Sequence, residues 1–378
     1  MGPQKIIISI VLIVAVIGGI IYLNSQKADR SGNDGGVSVV PRFSNDSEKN
    51  PSVSPEDKAV VSAKPSADEK TTSLQKSKKY PLAKEITTPD GFINTDEKPV
   101  TIGEFVGKKV VLIDFWTYSC INCQRTTPYL NAWYEKYKDK GLVIIGIHTP
   151  EFEFEKVYQN VLDATKKEGI KYPVVLDNDY STWNAYQNRF WPRKYLIDID
   201  GYIVYDHIGE GAYEETEKKI QEALSERMAV LGESGAISQP LTKEILAENG
   251  ARSPETYFGS ARNDQQKNLL FPNDSWDITS EFAQNNSANA SIVYTYTAKD
   301  VFFVAEAGIE TVVEVLLDGK PLEAGVGADI IKTSDGKSVV KIKEARLYKI
   351  IQGDKSETHK LEMRIQKPGL KVFTFTFG

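Results

Sequence analysis

Hydrophobic and polar residues follow three successive patterns along the chain. Residues 6–23, IIISIVLIVAVIGGIIYL, form one uninterrupted apolar run. From residue 80 to 232, short continuous apolar runs alternate with mixed stretches of helical character. From 257 to 378, apolar and polar residues alternate with period two. The patterns divide the chain into an apolar N-terminus, an α/β region and a β region.

The α/β region, residues 80–232, predicts strands that alternate with helices. The predicted strands are VVLIDFW (110–116), LVIIGIH (142–148), PVVLD (173–177) and the pair KYLIDID and YIVYDHIG. The predicted helices run from Cys123 to Tyr137, from 154 to 169, from 181 to 189 with a Ser cap, and from 213 to 230. Asp200-Gly201, between the last two strands, is typical of a hairpin turn. This order predicts a central sheet that helices cover on both faces.

The β region, residues 257–378, predicts an all-β sandwich or jelly roll. Its strand-like runs are SIVYTYTA, VFFVAEA, TVVEVLLDG, SVVKIKEARLYKIIQ, HKLEMRIQ and LKVFTFTFG. In the last run, the alternation places Phe373, Phe375 and Phe377 on one face and Val372, Thr374 and Thr376 on the other. Residues 233–256 are expected to be a connector with one short helix in LTKEILAENG.

The N-terminal apolar run is long enough to cross the core of a bilayer. A cleaved signal peptide is the alternative, but the run is long for one and no small-x-small cleavage site follows it cleanly. We expect residues 1–24 to form a single-pass transmembrane anchor. Residues 25–79 are rich in polar residues, Gly and Pro, which predicts a disordered linker. The folded regions are then expected at the cell membrane, on the extracytoplasmic side.

Charge and cysteine content exclude several classes of protein. The net charge of −6 and the absence of a Lys- and Arg-rich block argue against a nucleic-acid binder. The chain has two cysteines, Cys120 and Cys123, which cannot make a disulfide-rich scaffold. A structural zinc site needs four ligands, and neither a second cysteine pair nor histidines at ligand spacing are present. No metal and no cofactor are therefore expected.

The sequence Cys-Ile-Asn-Cys lies where a buried strand gives way to a helix. Free N–H groups and the helix dipole at a helix N-terminus stabilise a thiolate, which makes Cys120 the candidate attacking thiol. Cys123 lies one turn later, close enough to attack a mixed disulfide and release the substrate. An inert structural disulfide is the alternative, but it would close a very short loop and contribute little stability. The spacing favours a redox-active pair.

Residues around the cysteines favour the same chemistry. Asp114 lies within the apolar strand, where a buried carboxyl would have a raised pKa and could exchange protons with the resolving thiol. Trp116 would either shield the thiols or simply fill the core, and Pro128 is expected to kink the helix. A cis bond between Trp191 and Pro192 would place backbone groups beside the sulfurs for docking an extended substrate.

These residues resemble the thioredoxin fold, because the buried acid, tryptophan, CxxC, kink proline and cis-proline fall at matching places over residues 95–230. The insert after LVIIGIH resembles the TlpA-like and peroxiredoxin-like branch. "DFWTYSCINCQRTTPYL" and "GIHTPEFEFEK" look like the extracytoplasmic part of DipZ-type proteins. "PETYFG" and "FTFTFG" are similar to the carbohydrate-binding-module-like β domain that follows it in that family. The multi-span CcdA-like part of that family has no counterpart in this sequence, which has one hydrophobic span.

The resemblance implies a thiol–disulfide oxidoreductase that leans towards reduction of protein or small-molecule disulfides. Its electrons would come from a separate membrane donor of the CcdA kind. A thiol peroxidase remains an alternative, since Thr117 and Arg193 accompany Cys120. A surface binding protein with a thioredoxin scaffold is another, for which Trp276 and Tyr257 are candidates to stack on glycan rings. A core tryptophan and a domain-junction tyrosine are the favoured interpretation of these two residues. The stretch from His148 to Glu151 is a candidate for the rim of the site.

Overall fold

The computed structural model describes residues 76–96, 98–241, 253–262 and 266–378. The predicted membrane anchor, the linker up to residue 75 and most of the predicted connector helix lie outside these ranges. Among the described residues, no helix combines the length and the apolar character that crossing a membrane requires.

A six-stranded sheet forms the centre of the α/β region. Its strands are β1 (Gly91–Ile93), β2 (Val110–Trp116), β3 (Leu142–His148), β4 (Val174–Leu176), β5 (Arg193–Ile197) and β6 (Ile203–Ile208). They lie in the order β1-β4-β3-β2-β5-β6. Strands β2, β3 and β4 run parallel, whereas β1, β5 and β6 are antiparallel to their neighbours. Every residue of β2 is buried, as its continuous apolar run predicts.

Among the elements that the described residues form in full, four helices cover the two faces of this sheet. They are α1 (Ile121–Tyr137), α2 (Tyr158–Lys167), α3 (Ser181–Ala185) and α4 (Tyr213–Val230). Leu112 and Trp116 of β2 pack in the same cluster as Leu130 of α1, whereas Phe115 packs with Trp183 of α3 on the other face. Because side chains alternate along a strand, Asp114 shares a face with Leu112 and Trp116. The strand therefore directs the Asp114 carboxyl towards the helix that begins at the cysteines.

Two helices differ from their predicted form. The helix expected over 154–169 is a 3₁₀ turn, Glu153–Lys156, and the separate helix α2, with Val157 extended between them. The Glu155 carboxylate accepts the Phe152 N–H at 3.0 Å, which stabilises the short turn. Helix α3 is capped by Asp177, whose carboxylate accepts the N–H groups of Thr182 and Trp183, and not by Ser181.

The β region forms one hydrogen-bonded sheet of eleven strands. The strands are β7 (Thr256–Tyr257), β8 (Leu270–Phe271), β9 (Trp276–Ile278), β10 (Ala283–Asn285), β11 (Ala290–Ala307), β12 (Thr311–Leu317), β13 (Lys320–Pro321), β14 (Ile330–Lys332), β15 (Ser338–Ile342), β16 (Arg346–Ile365) and β17 (Leu370–Phe377). Strand β11 lies between β16 and β17 and pairs with both. This large sheet agrees with the predicted all-β character. The finer form, two sheets packed as a sandwich, stays a prediction.

The strand boundaries of the β region were harder to predict than its class. SIVYTYTA and VFFVAEA belong to one strand, β11, because register shifts near Asp300 let the ladder continue through the polar residues between them. RLYKIIQ and HKLEMRIQ likewise belong to β16, whereas SVVKI is a separate strand, β15. Polar interruptions therefore mark bulges in long strands here, where the sequence pattern suggests turns.

Phe373 lies on the opposite face from the one its alternation predicts. The β11–β17 register moves from Val304–Thr374 to Ala305–Val372, which leaves Phe373 as an extra, bulged residue. Phe375 and Phe377 point into the core of the β region, but Phe373 packs against Phe152 and Phe154 of the α/β region, with ring centroids 5.1 and 4.8 Å apart. This bulge joins the two regions through a shared apolar contact.

Candidate active site

The two cysteines occupy the first turn of α1. Cys120 is the N-cap residue and is partly exposed, whereas Cys123 is 1% exposed. Burial raises the pKa of the Cys123 thiol well above its usual range, and the neighbouring Cys120 and Asp114 raise it further. A substrate can therefore reach Cys120 directly, while Cys123 can act once a neighbouring group accepts its proton.

Asp114 and Lys194 form a buried, oppositely charged pair behind Cys123. They face each other across the β2–β5 ladder, and both are almost completely buried. Burial raises the pKa of Asp114 to about 7, and attraction to Lys194 opposes that rise. Burial lowers the pKa of Lys194, while Asp114 and Cys123 oppose the decrease. At neutral pH, Asp114 can therefore change its protonation state easily.

Hydrogen bonding leaves the Asp114 carboxyl available for proton exchange. Its Oδ1 has no hydrogen-bond partner among the described residues. The Lys194 ammonium donates to the carbonyl of Gly209 at 3.1 Å, which holds it in place. A buried carboxyl with an unoccupied oxygen is suited to accept the proton of a nearby thiol.

The loop before β5 brings a backbone carbonyl to the attacking thiol. The Trp191–Pro192 peptide bond is cis, the form that the sequence analysis anticipates, and the Trp191 carbonyl oxygen lies 4.0 Å from Cys120 Sγ. The Trp191 indole donates to the carbonyl of Thr149 at 3.0 Å and packs 4.3 Å from the ring of Trp183. These contacts fix the backbone beside Cys120.

A second buried carboxyl organises the loop in front of the cysteines. Glu155 is fully buried and accepts hydrogen bonds from the Ser119 hydroxyl at 2.6 Å and the Ser119 N–H at 3.2 Å. It also accepts the N–H of Glu151 at 2.6 Å. Burial and the charge of Glu151 together raise the pKa of Glu155 to about 7, although its hydrogen bonds oppose the rise. Glu155 ties the residue preceding Cys120 to the segment that contacts the β region.

Cys120 opens onto a cleft of about 390 Å³ between the two regions. On the α/β side the cleft is lined by Ser119, Cys120, Ile121, Asn122, Glu151, Arg189, Phe190 and Trp191. On the β side it is lined by Tyr257, Arg262, Thr374, Thr376 and Phe377, together with Ser253 and Glu255 from the segment that leads into β7. The β region therefore supplies one wall of the space that a substrate of Cys120 enters.

Of the other residues singled out in the sequence, Glu151 lines this cleft, and Trp116, Pro128 and His148 do not. Trp116 is buried in the same cluster as Cys123, and its ring meets that of His148 edge-on at 5.1 Å. Pro128 is an exposed residue inside α1, which continues through it to Tyr137. Glu151 lines the cleft, but His148 is fully buried, and burial lowers its pKa to about 3. The predicted rim therefore contributes Glu151 and not His148.

The Thr117 carbonyl accepts the Cys120 N–H at 3.3 Å, but the side chains that favoured a peroxidase have partners elsewhere. The Thr117 hydroxyl lies 3.4 Å from His148 Nε2, and Arg193 forms an ion pair with Asp206 at 2.6 Å. Neither side chain lines the cleft. This placement does not favour the peroxidase alternative.

The two aromatic residues considered for glycan stacking are not exposed platforms. Trp276 is 7% exposed and belongs to the core of the β region. Tyr257 is half-buried at the junction of the two regions, where its hydroxyl lies 2.8 Å from Glu151 and 2.7 Å from Glu255. These positions agree with the favoured interpretation of a core tryptophan and a domain-junction tyrosine, and they do not support glycan stacking.

Among the described residues, one group of acids lies close enough together to bind a cation. Oxygen atoms of Asp198, Asp200 and Glu226 all lie within 4.8 Å of one another. The ammonium of Lys76 contacts all three carboxylates, at 2.6, 2.7 and 2.7 Å. The cluster is an ion-pair network around Lys76, distant in sequence from the cysteines.

Several site residues were missed in the sequence analysis. Lys194 could have been predicted as a site residue, because it is a charged residue within the apolar strand that lies opposite Asp114. Nothing in the sequence distinguishes Glu155, because a single acid in an amphipathic stretch resembles a solvent-exposed residue. Glu255 and Arg262 approach the cysteines through the packing of two distant regions, which a single sequence does not reveal.

Family models match both regions of the chain. Residues 64–224 match the family described as Redoxin, and residues 273–378 match the family described as thioredoxin-like C-terminal domain. The solved thioredoxin domain of a thiol-disulfide oxidoreductase from Bacteroides vulgatus is 29% identical, with a TM-score of 0.31, over 37% of this chain and 96% of that chain.

Curated relatives align with the α/β region or with most of the chain. Protein DipZ of Mycobacterium bovis is 36% identical over 320 residues, which are 77% of this chain and 43% of DipZ. Thiol-disulfide oxidoreductase ResA of Bacillus cereus is 34% identical over 34% of this chain and 73% of ResA. Thiol-disulfide oxidoreductase YkuV of Bacillus subtilis is 27% identical over 38% of this chain and 93% of YkuV.

The chain thus spans less than half the length of DipZ, while it covers most of the two shorter oxidoreductases. The matches extend over both regions that line the cleft. The chain belongs to the TlpA- and DipZ-type family of thioredoxin-fold thiol–disulfide oxidoreductases.

Proposed function

We propose that this chain is a membrane-anchored thiol–disulfide oxidoreductase that reduces disulfide bonds of polypeptides outside the cytoplasm, using Cys120 and Cys123. The observation that carries the proposal is the contrast between the two thiols. Cys120 is accessible beside the Trp191 carbonyl, whereas Cys123 is buried next to Asp114. An accessible attacking thiol and a protected resolving thiol are what two-step disulfide exchange requires.

The first step is the attack of the Cys120 thiolate on one sulfur of the substrate disulfide. A bond forms between Cys120 Sγ and that sulfur, the substrate disulfide breaks, and the second substrate sulfur leaves as a thiolate that takes up a proton. Backbone groups at Trp191 and the walls of the cleft orient the substrate chain. The product of this step is a mixed disulfide.

The second step releases the substrate. Asp114 accepts the proton of Cys123, and the resulting thiolate attacks Cys120 Sγ. The Cys120–Cys123 disulfide forms, and the remaining substrate sulfur leaves and is protonated to a thiol. The substrate gains two electrons and the cysteine pair loses two. A separate dithiol protein at the membrane, of the CcdA kind, would return the pair to its reduced form.

The proposal includes the anchor and the extracytoplasmic location, which rest on the apolar run at residues 6–23. Fractionation of cells that express the full chain tests both. The chain should remain in the membrane fraction after an alkaline wash. Protease added from outside should digest it in cells whose outer envelope layer has been permeabilised. Release by the wash would contradict the anchor.

Replacement of Cys120 by Ser tests the chemistry. We expect the C120S variant to lose reduction of insulin disulfides by dithiothreitol-recycled protein, because serine cannot form the mixed disulfide. The matched control is Ser225→Ala, on the exposed face of α4. Retained activity in C120S would contradict the assignment. A measured redox potential then gives the direction, since a strongly negative value supports a reductase.

A further inference from the structure

The cleft in front of Cys120 holds two carboxylates whose environments differ. Glu151 contacts the guanidinium of Arg262, so its charge is compensated. Glu255 has no ion-pair partner among the described residues. Its Oε1 accepts a hydrogen bond from the Thr376 hydroxyl at 2.9 Å, and its Oε2 lies 2.7 Å from the Tyr257 hydroxyl, which also lies 2.8 Å from the Glu151 carboxylate.

These hydroxyls fix the orientation of the Glu255 carboxylate without neutralising it. Desolvation raises the pKa of Glu255, the charge of Glu151 raises it further, and the charge of Arg262 lowers it. Among the described residues, Glu255 thus has no cation paired with it in this part of the cleft, whereas Glu151 is paired with Arg262. A cation brought in by a substrate would relieve the repulsion between the two carboxylates.

The remaining charge of the cleft does not supply that cation. Arg189 lines the cleft but donates to the carbonyl of Asn188 at 2.7 Å. Among the described residues, Arg189 forms no ion pair with Glu255. The Glu255 carboxylate therefore remains available to a ligand.

We propose that Glu255 is a specificity-determining residue that selects polypeptide disulfides carrying a lysine or arginine beside the reacting cysteine. Cys120 attacks the disulfide from the α/β wall, while Glu255 binds the neighbouring basic side chain from the β wall. The β region is then a substrate-recognition element of the oxidoreductase. This inference rests on the proposed reduction of polypeptide disulfides.

Peptides test the selectivity with the full chain in detergent. A first set of three disulfide-bonded peptides differs only in the residue that follows one cysteine, which is Lys, Gln or Glu. In a second set, the variable residue precedes that cysteine. In at least one set we expect kcat/KM to be about five- to tenfold higher for the Lys peptide than for the Glu peptide at low salt. The preference should weaken in concentrated salt, since mobile ions screen exposed charges.

Variants of Glu255 give the decisive comparison. E255Q should reduce the preference to less than about twofold, and E255K should reverse it. E323Q, an exposed acid far along the β region, is the matched control and should keep the preference. Turnover of all peptides at equal rates in both sets would overturn the role of Glu255 but not the oxidoreductase function. No turnover of any peptide would overturn both.

Discussion

The charged groups on the two sides of the cysteine pair lie in opposite environments. Behind Cys123, Asp114 and Lys194 are buried together, and burial shifts the pKa of each towards neutrality. In front of Cys120, the charges of Glu255 and Arg262 line an open cleft. Burial makes a charged group easy to protonate or deprotonate, whereas partial exposure keeps it charged for binding. The rear side is therefore suited to moving protons, and the front side to recognising substrates.

The largest effect is expected from replacement of Cys123 by Ser. The variant can still attack through Cys120, but no second thiol resolves the mixed disulfide, so turnover should fall to the background rate of thiol exchange. Non-reducing electrophoresis and mass spectrometry should detect a covalent complex with substrate. The complex should vanish in the C120S/C123S double variant. A complex that forms through Cys123 in C120S instead would reverse the order of the two thiols.

Replacement of Asp114 by Asn removes the proposed proton acceptor at the rear. We expect the resolving step to slow by about 100-fold, the range typical of general acid–base catalysis. In the parent, the rate should rise with pH through an inflection near the Asp114 pKa of about 7, because only the carboxylate accepts a proton. The D114N variant should lose this inflection, which stopped-flow measurement of mixed-disulfide decay would show.

Lys194→Met is the companion change, because it keeps the length of the side chain and removes its charge. Attraction to Lys194 opposes the rise in the pKa of Asp114, so its loss should move the inflection to higher pH. Unchanged inflections in both variants would exclude Asp114 as the proton acceptor.

The same carboxyl gives a stability prediction with a defined sign. The pKa of Asp114 is higher in the folded chain, about 7, than its ordinary value of 3.8. Between these pH values the folded state binds more protons than the unfolded state, so this group makes stability fall as pH rises. D114N should therefore unfold at higher denaturant concentration than the parent at pH 8, with a smaller difference at pH 4. Equal pH dependence of the two proteins would contradict the burial of a titrating carboxyl.

The residues behind Cys123 could largely be predicted from the sequence, whereas those in front of Cys120 could not. Cys120, Cys123 and Asp114 lie on one strand and the helix that follows it, so local spacing is enough to bring them together. Lys194 requires the pairing of β5 with β2, which one sequence leaves open. The front side depends on Phe373, whose bulge turns it towards the α/β region against the period-two pattern. Long-range packing and a single inserted residue thus decide what the pattern alone does not.

The smallest effect is expected from replacement of Tyr257 by Phe at the front. The variant keeps the ring, which lies 3.9 Å from the Arg262 guanidinium, and loses the hydroxyl that contacts Glu255. A single hydrogen bond contributes about 1 kcal/mol to stability, so the free energy of unfolding should change by no more than that. Because Glu255 loses one of its two orienting donors, KM for a Lys-flanked peptide should rise about two- to threefold with kcat unchanged. The pH inflection of the resolving step should stay where it is in the parent. A shift of that inflection in Y257F would show that the front of the site also acts on the proton step, and the separation between the two sides of the cysteine pair would not hold.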